Sequence, residues 1–270
     1  MEIQNNTAAA QNLVDALNAK LGAGTYAVVP DPATGTGTDA IKVALIFKPA
    51  RVTRSGASSS DPNPVHNRPP FAQTFAAPNG EKFTVVVNHF KSKGCDGAGG
   101  AEADQRDGQS CFNARRVQQA QALLGFISAR QAQSGSSDVI VIGDLNAYAK
   151  EDPVHMITSQ GFVDEIGRHE EHGYSYVFDG AAGRLDHAIT SASLSEKVTG
   201  ALTWHINADE PLVIDYNLEF KGGTLSPDFY TPTPYRSSDH DPVVVGLELV
   251  KRLTGTVGRD TLVGTAGDDV

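Results

Sequence analysis

Asp138-Val139-Ile140-Val141-Ile142-Gly143-Asp144-Leu145-Asn146 is the stretch that decides the fold. Its apolar run is continuous and lacks the alternation of a half-buried strand, so it reads as a central strand buried on both faces. Gly143 then lets the backbone turn sharply. Asp144 and Asn146, two positions apart, would share one side of the continuing chain. A plain turn would use the same residue types, so the pattern gains meaning only if other polar clusters sit at other strand ends.

They do. Upstream, a helix starting at Asn113 carries Val117, Ala120, Leu124 and Ile127 on one face and Gln and Arg on the other. Before it, residues 71–75 and 82–90 read as strands paired across Pro78-Asn79-Gly80. The second of these closes on Asn88-His89-Phe90-Lys91-Ser92, where His89 and Lys91 could hold a phosphate oxygen or simply stay solvated. Downstream, a short helix from Glu151 with Pro153 in its first turn ends near Gly161. Residues 174–178, 185–190, 198–206 and 243–250 read as strands. Arg184-Leu185-Asp186-His187 opens one of them, and a carboxylate placed there tends to be buried and to need a partner such as an imidazole. Arg236-Ser237-Ser238-Asp239-His240-Asp241-Pro242 precedes another and sets an Asp beside a His. His187, Asp241 and the acidic loop from Asp96 to Asp107 read as structural or solvated.

At the N-terminus residues 1–4 read as the end of a strand. Asn6 or Thr7 then caps a helix with Leu13, Val14, Leu17 and Leu21 at helical spacing and Gly22 as its stop. Residues 25–29 and 40–47 read as strands, and 49–70, rich in Ser, Pro and Asn, as a long surface connection. Strands outnumber helices and hairpin turns separate several of them. The pattern points to mixed or antiparallel sheets flanked by helices, not a doubly wound parallel sheet.

A chain of 270 residues with 40% apolar residues can bury a full core. With 22 Lys and Arg against 32 Asp and Glu, the net charge is -10. That excludes bulk attraction to polyanions or anionic membranes, so any phosphate chemistry must rest on local Arg, Lys, His and bound cations. No apolar run approaches the roughly 20 residues that cross a bilayer. No signal-peptide pattern opens the chain, which leaves either a cytosolic protein or export information outside it. Cys95 and Cys111 flank a loop rich in Gly and Asp. A disulfide there would contribute about 3 kcal/mol in the chain-entropy model, and free or buried thiols are the alternative. Several oxygen ligands with one or two imidazoles, and no Cys or His pair at zinc spacing, point to a hard cation such as Mg²⁺. Gly255, Gly258 and Asp260 recur nine residues later as Gly264, Gly267 and Asp269, the period of a calcium-binding nonapeptide. The boundary therefore falls between a domain over 1–252 and the start of a repeat tail over 253–270.

The ordered set Met1-Glu2-Ile3-Gln4-Asn5, Asn88-His89-Phe90-Lys91-Ser92, Gly143-Asp144-Leu145-Asn146-Ala147, Arg184-Leu185-Asp186-His187 and Ser238-Asp239-His240-Asp241-Pro242 resembles the endonuclease/exonuclease/phosphatase superfamily, whose best-known member is deoxyribonuclease I. The segment from Asn88 through both cysteines to Asn113-Ala114-Arg115-Arg116-Val117 resembles the large secreted bacterial nucleases of the ExeM type. The resemblance covers nearly all of residues 1–250 and implies an α/β fold: a four-layer α/β/β/α sandwich of two mixed, mostly antiparallel sheets with the site at one end. It implies a secreted bacterial endonuclease that hydrolyses DNA or RNA phosphodiesters with Mg²⁺ or Mn²⁺, with Ca²⁺ as a further candidate, acting as a monomer. The alternatives are a secreted phosphomonoesterase or phospholipid phosphodiesterase of the same superfamily, and an inactive calcium-stabilised module of a surface or matrix protein.

Residue by residue, the resemblance implies that Glu2 and Asp239 hold the metal. His240 is the general base or the imidazole on the scissile phosphate, oriented and kept protonated by Asp186. Asp144 and Asn146 position the attacking water and phosphate oxygens, and His89 neutralises the phosphate. Lys91, Arg68 and Arg115 are candidates for phosphate contacts, since cationic side chains commonly supply them; an arginine packed over a strand is the other reading for the last two. The family begins with a strand carrying an Asn, and this chain starts after it, so the sequence reads as N-terminally truncated.

Overall fold

Ile140 and Val141 face opposite ways, and each looks into a separate apolar core. The computed structural model describes residues 2–6, 8–214 and 233–249, and the nonapeptide tail over 253–270 lies outside them. In chain order the elements are β1 (Glu2–Gln4), α1 (Ala9–Leu21), β2 (Ala27–Val28), β3 (Ile41–Val43), β4 (Ile46–Phe47), β5 (Thr53–Arg54), β6 (Ser59–Ser60), β7 (Phe71–Ala76), β8 (Lys82–His89), α2 (Asn113–Ser134), β9 (Val139–Asp144), α3 (Asp152–Thr158), β10 (Val163–Asp164), α4 (Glu165–His169), β11 (Tyr176–Phe178), β12 (Ala181–Gly183), β13 (Asp186–Thr190), α5 (Ala192–Ser195), β14 (Val198–Thr203) and β15 (Val243–Leu247).

Seven strands form the main sheet in the order β10-β13-β9-β8-β7-β5, with β6 also on β7. The β8–β9 pair is parallel; the others are antiparallel. A parallel pair needs a long crossover, and α2 supplies it. The α2 residues Ala120, Leu123, Phe126 and Ile127 cover Val86, Val139 and Val141, and Val154 and Ile157 of α3 extend that core. Gly135, at φ 71°, stops α2 in the left-handed region.

The opposite face carries Phe71, Phe75, Val87, Ile140 and Ala188, packed with Val29, Val43, Ala201, Val243 and Val245. Val43, Ala201, Val243 and Val245 come from the antiparallel pairs β1–β3 and β14–β15, Val29 directly follows β2 of the antiparallel β2–β4 pair, and α1 packs along β1 and β2. The fold is thus mixed α/β with a large mixed sheet. The layer facing it is three separate ladders among the described residues. Residues 40–47, expected as one strand, form two, because 41–43 pair with β1 and 46–47 with β2, a ladder that the Val29 N–H to Leu45 O bond at 2.9 Å extends. Asn6 caps α1 from a distance, its Oδ1 accepting the N–H groups of Ala8 and Ala9 at 3.0 and 2.8 Å.

Cys95 and Cys111 form a disulfide. Lys93 fastens that loop to α3, donating to Gln109 O at 2.9 Å and to both Glu151 oxygens at 2.6 and 2.7 Å. Among the described residues no helix is long and apolar enough to cross a membrane.

Candidate active site

Sheet register assembles the site. His89 lies opposite Asp144 across β8 and β9, and Asp186 lies opposite Asp144 across β13 and β9. Three polar residues therefore stand side by side at the ends of adjacent strands. The close approach behind them requires glycine at position 143. Its φ is +119°, and a Cβ there would stand 2.4 Å from Asn88 O.

The chain then turns through Asn146 at φ 46°, a conformation that Asn tolerates. The turn folds Asn146 back on Asp144: its backbone N–H donates to Oδ1 at 2.6 Å and its side-chain amide to Oδ2 at 2.7 Å. The same amide reaches Phe90 O at 3.2 Å, joining the ends of β8 and β9. His89 Nε2 lies 3.5 Å from Asp144 Oδ2.

His240 comes from the loop before β15, and its Nδ1 donates to Asp186 Oδ2 at 2.6 Å. Burial disfavours a charged imidazole, yet the hydrogen bond and charge of Asp186, with Asp144 and Asp239 behind it, prevail and raise His240 to about 10. At neutral pH it is an imidazolium. The Tyr176 ring packs 4.7 Å from it, centroid to centroid.

Asp241, next in sequence, anchors this loop. Its Oδ1 accepts the N–H groups of Ile206, Asn207 and Ala208 at 3.0, 2.8 and 3.0 Å, and its Oδ2 meets His205 Nδ1 at 2.9 Å. Asn207 in turn donates to His240 O at 2.8 Å. Ser175 ties the loop to β13. Its carbonyl accepts the Asp241 N–H at 2.8 Å, while its hydroxyl oxygen accepts the N–H groups of Leu185 and Asp186 at 3.1 and 3.0 Å. Neither Ser175 nor Tyr176 stood out in the sequence, where 174–178 read only as a strand. A small hydroxyl between two tyrosines carries no local signal of a partner far along the chain.

Of the residues singled out from sequence, His89, Asp144, Asn146, Asp186 and His240 converge here. Asp239 is half-buried nearby and acts on His240 through its charge. Glu2 lies on β1, paired with Val43, and its side chain is outside the described atoms. Arg68 donates to Phe90 O at 2.6 Å and to His89 O at 3.4 Å. Lys91 places Nζ 4.3 Å from the centroid of the Phe112 ring, and Arg115 donates to Val65 O at 3.4 Å. His187 is structural: it is fully buried, its Nε2 donates to Ala147 O at 2.8 Å, and burial followed by the Arg184 charge pushes its pKa down.

One atom each from Asp144, Asp186 and His240 fit within 4.8 Å of one another. Two carboxylates at that spacing suit a hard divalent cation, whereas His240 Nδ1 is already engaged by Asp186. Asp144 and Asp186, with His240 beside them, are the groups of this cluster that could hold the ion.

Carboxylates and imidazoles converging where strands end are the equipment of a hydrolase. The chain belongs to the endonuclease/exonuclease/phosphatase family, whose model matches residues 2–240. Solved structures similar in fold include a mannosyl-6-phosphatase of Bacteroides thetaiotaomicron, at 14% identity over 88% of this chain and 82% of that one with a TM-score of 0.55. The human Nocturnin catalytic domain with bound sulfate matches at 18% identity, 91% and 80% coverage and a TM-score of 0.51. Truncated Caenorhabditis elegans TDP2 matches at 12% identity, 90% and 81% coverage and 0.51. No curated protein matches the chain.

Proposed function

We propose that the chain is a divalent-cation-dependent phosphodiesterase that cleaves DNA or RNA, an exported bacterial endonuclease of the ExeM type acting as a monomer. The observation that carries this reading is the row His89, Asp144, Asp186 with His240 closing on Asp186, which sets two imidazoles about two carboxylates. Hydrolysis of a phosphodiester requires a water made nucleophilic, restraint of the charge that builds on phosphorus oxygens, and a protonated leaving oxygen. Asp144, held by both N–H groups of Asn146, accepts the proton of the attacking water. The His240 imidazolium and His89 face the charge that builds as the water oxygen bonds to phosphorus. The ester P–O bond then breaks and the leaving oxygen takes its proton from the His240 imidazolium, whose Nδ1 stays on Asp186, while the proton taken from water remains on Asp144 to be returned. When bound by Asp144 and Asp186, Mg²⁺ or Mn²⁺ supplies Lewis acidity toward a phosphate oxygen.

The Cys95–Cys111 disulfide supports export, because such bonds persist in oxidising compartments. The calcium-binding tail belongs to the same proposal and lies outside the described residues. The net charge of -10 favours a second reading, a phosphomonoesterase or phospholipid phosphodiesterase.

Incubation of plasmid DNA and of RNA with Mg²⁺, Mn²⁺ or Ca²⁺ decides between them. Nicking should require a divalent cation and fall by a factor on the order of 10² or more in His240→Ala and Asp186→Asn. Intact nucleic acid, together with phosphate released from sugar or inositol phosphates, would reject the nuclease in favour of the second reading. A folded protein that turns over none of these would be the inactive module.

A further inference from the structure

The chain is acidic as a whole, yet the backbone that continues β8 past His89 gathers cations. Arg68 grips the carbonyls of His89 and Phe90. Lys91 stands two residues past His89, at most about 7 Å along the chain. Its ammonium lies over Phe112 and 3.4 Å from Ser92 Oγ, with no carboxylate at ion-pair distance among the described residues. Arg115 reaches Val65 O from the first turn of α2. Beneath them Arg116 is buried and donates to the carbonyls of Cys111 and Gln109 at 2.8 Å and of Lys91 at 3.4 Å.

The charges of Glu151, Asp144, Glu102 and Asp107 answer the buried Arg116, and the other three cations have fewer carboxylates about them. Asp39 lies 3.7 Å from Arg68 Nη1, and Glu102 accepts the backbone N–H of Arg115 at 3.2 Å. Backbone carbonyls satisfy the hydrogen bonds of the arginines without cancelling their charge. The excess is felt at Lys91, whose pKa is pulled down by burial and then by the Arg68 charge, with Arg115 and Arg116 adding to it and Asp39 opposing. Like charges held together are repulsive until an anion is shared among them.

We infer that Lys91, Arg68 and Arg115 form a shelf for the phosphate next to the scissile one in a nucleic-acid strand. The inference deepens the nuclease reading and rests on it. Its consequence is that the substrate is a phosphate polymer, because a single phosphate ester at the His89–Asp144 site leaves the shelf unused. Neutralising the shelf also reconciles an acidic protein with a polyanionic substrate, since the favourable field is confined to the strand path.

Fluorescence anisotropy of a labelled oligothymidylate of about eight nucleotides, a common single-strand site size, tests this with the whole chain in EDTA across a salt series. Each phosphate contact on a single strand contributes about 0.7 to the slope of log K against log salt. Lys91→Gln and Arg115→Gln should each flatten the slope by about that amount and weaken binding whatever the base sequence. Arg130→Gln, which removes a cation stacked on Phe126 elsewhere on α2, should leave it unchanged. Slopes unchanged in both shelf variants, a slope flattened as much by Arg130→Gln, or no binding by the unmodified chain, each overturn the inference. Plasmid cleavage measured in parallel keeps the two ideas apart: flattened slopes without any divalent-dependent cleavage sustain the shelf and reject the nuclease.

Discussion

Ser175 is a buried hydroxyl that touches no candidate substrate position, yet it holds both halves of the Asp186–His240 pair. Its Oγ fixes the backbone at Asp186 and its carbonyl fixes the backbone at Asp241. In Ser175→Ala the buried Leu185 N–H and the half-buried Asp186 N–H lose their acceptor, at about 1–3 kcal/mol for the buried one, and the 2.6 Å bond between the pair loosens. We predict a fall in kcat larger than any change in KM, restored by Ser175→Thr, which keeps the hydroxyl. Equal loss in the Thr variant would assign Ser175 to packing alone. The sequence singles out Asp144, Asn146, Asp186 and His240 because each is polar where an apolar run begins or ends. Ser175 escapes notice because its partners are 10, 11 and 66 residues away and leave no trace in local pattern.

Among the elements, the loop before β15 depends on one carboxylate. Burial tends to raise the pKa of Asp241, but the His205 hydrogen bond and three backbone N–H groups outweigh it and hold the group below its ordinary 3.8. With the folded pKa depressed, this stabilisation is present above about 3.8 and is lost as pH falls through the lower folded value. Asp241→Asn should therefore cost about 2–4 kcal/mol at neutral pH and flatten the acid limb of the urea-stability curve below pH 4. A variant with an unaltered acid limb would show that other carboxylates set it. Sequence reading treated Asp241 as structural or solvated, and the structure gives the first its mechanism. The same reading made 40–47 one strand, since nothing in Ala44-Leu45 announces that the chain changes partner there from β1 to β2. The helices α4 and α5 were likewise missed: each is five residues or fewer, too short to show a period.

For the molecule as a whole, sequence conveyed the central strand, the helix from Asn113 and the pairing of β7 with β8, because those segments are long and regular, while the parallel β8–β9 crossover that the helix makes came only with the structure. The facing layer was harder to read. Its ladders are two to six residues long, and what aligns them is contact across the core, to Phe71, Phe75 and Ile140, which no window of sequence contains. The contrast extends to the row of site residues. His89, Asp144 and Asp186 are rooted in strands with a core on either face, whereas His240 arrives on the loop leading into β15, which among the described residues pairs with β14 alone.

That asymmetry gives the two halves of the site different lifetimes. Among the described residues Leu202 and Val244 of the two-stranded β14–β15 ladder are exposed, so it should open at a lower free energy than the main sheet. On warming, activity should disappear several degrees before the far-ultraviolet signal of the main sheet does, and return on cooling. Coincident curves would mean that the ladder melts only with the rest. If they separate, the protein behaves as a durable frame with a detachable acid, and its working temperature is set by about a dozen residues at the periphery.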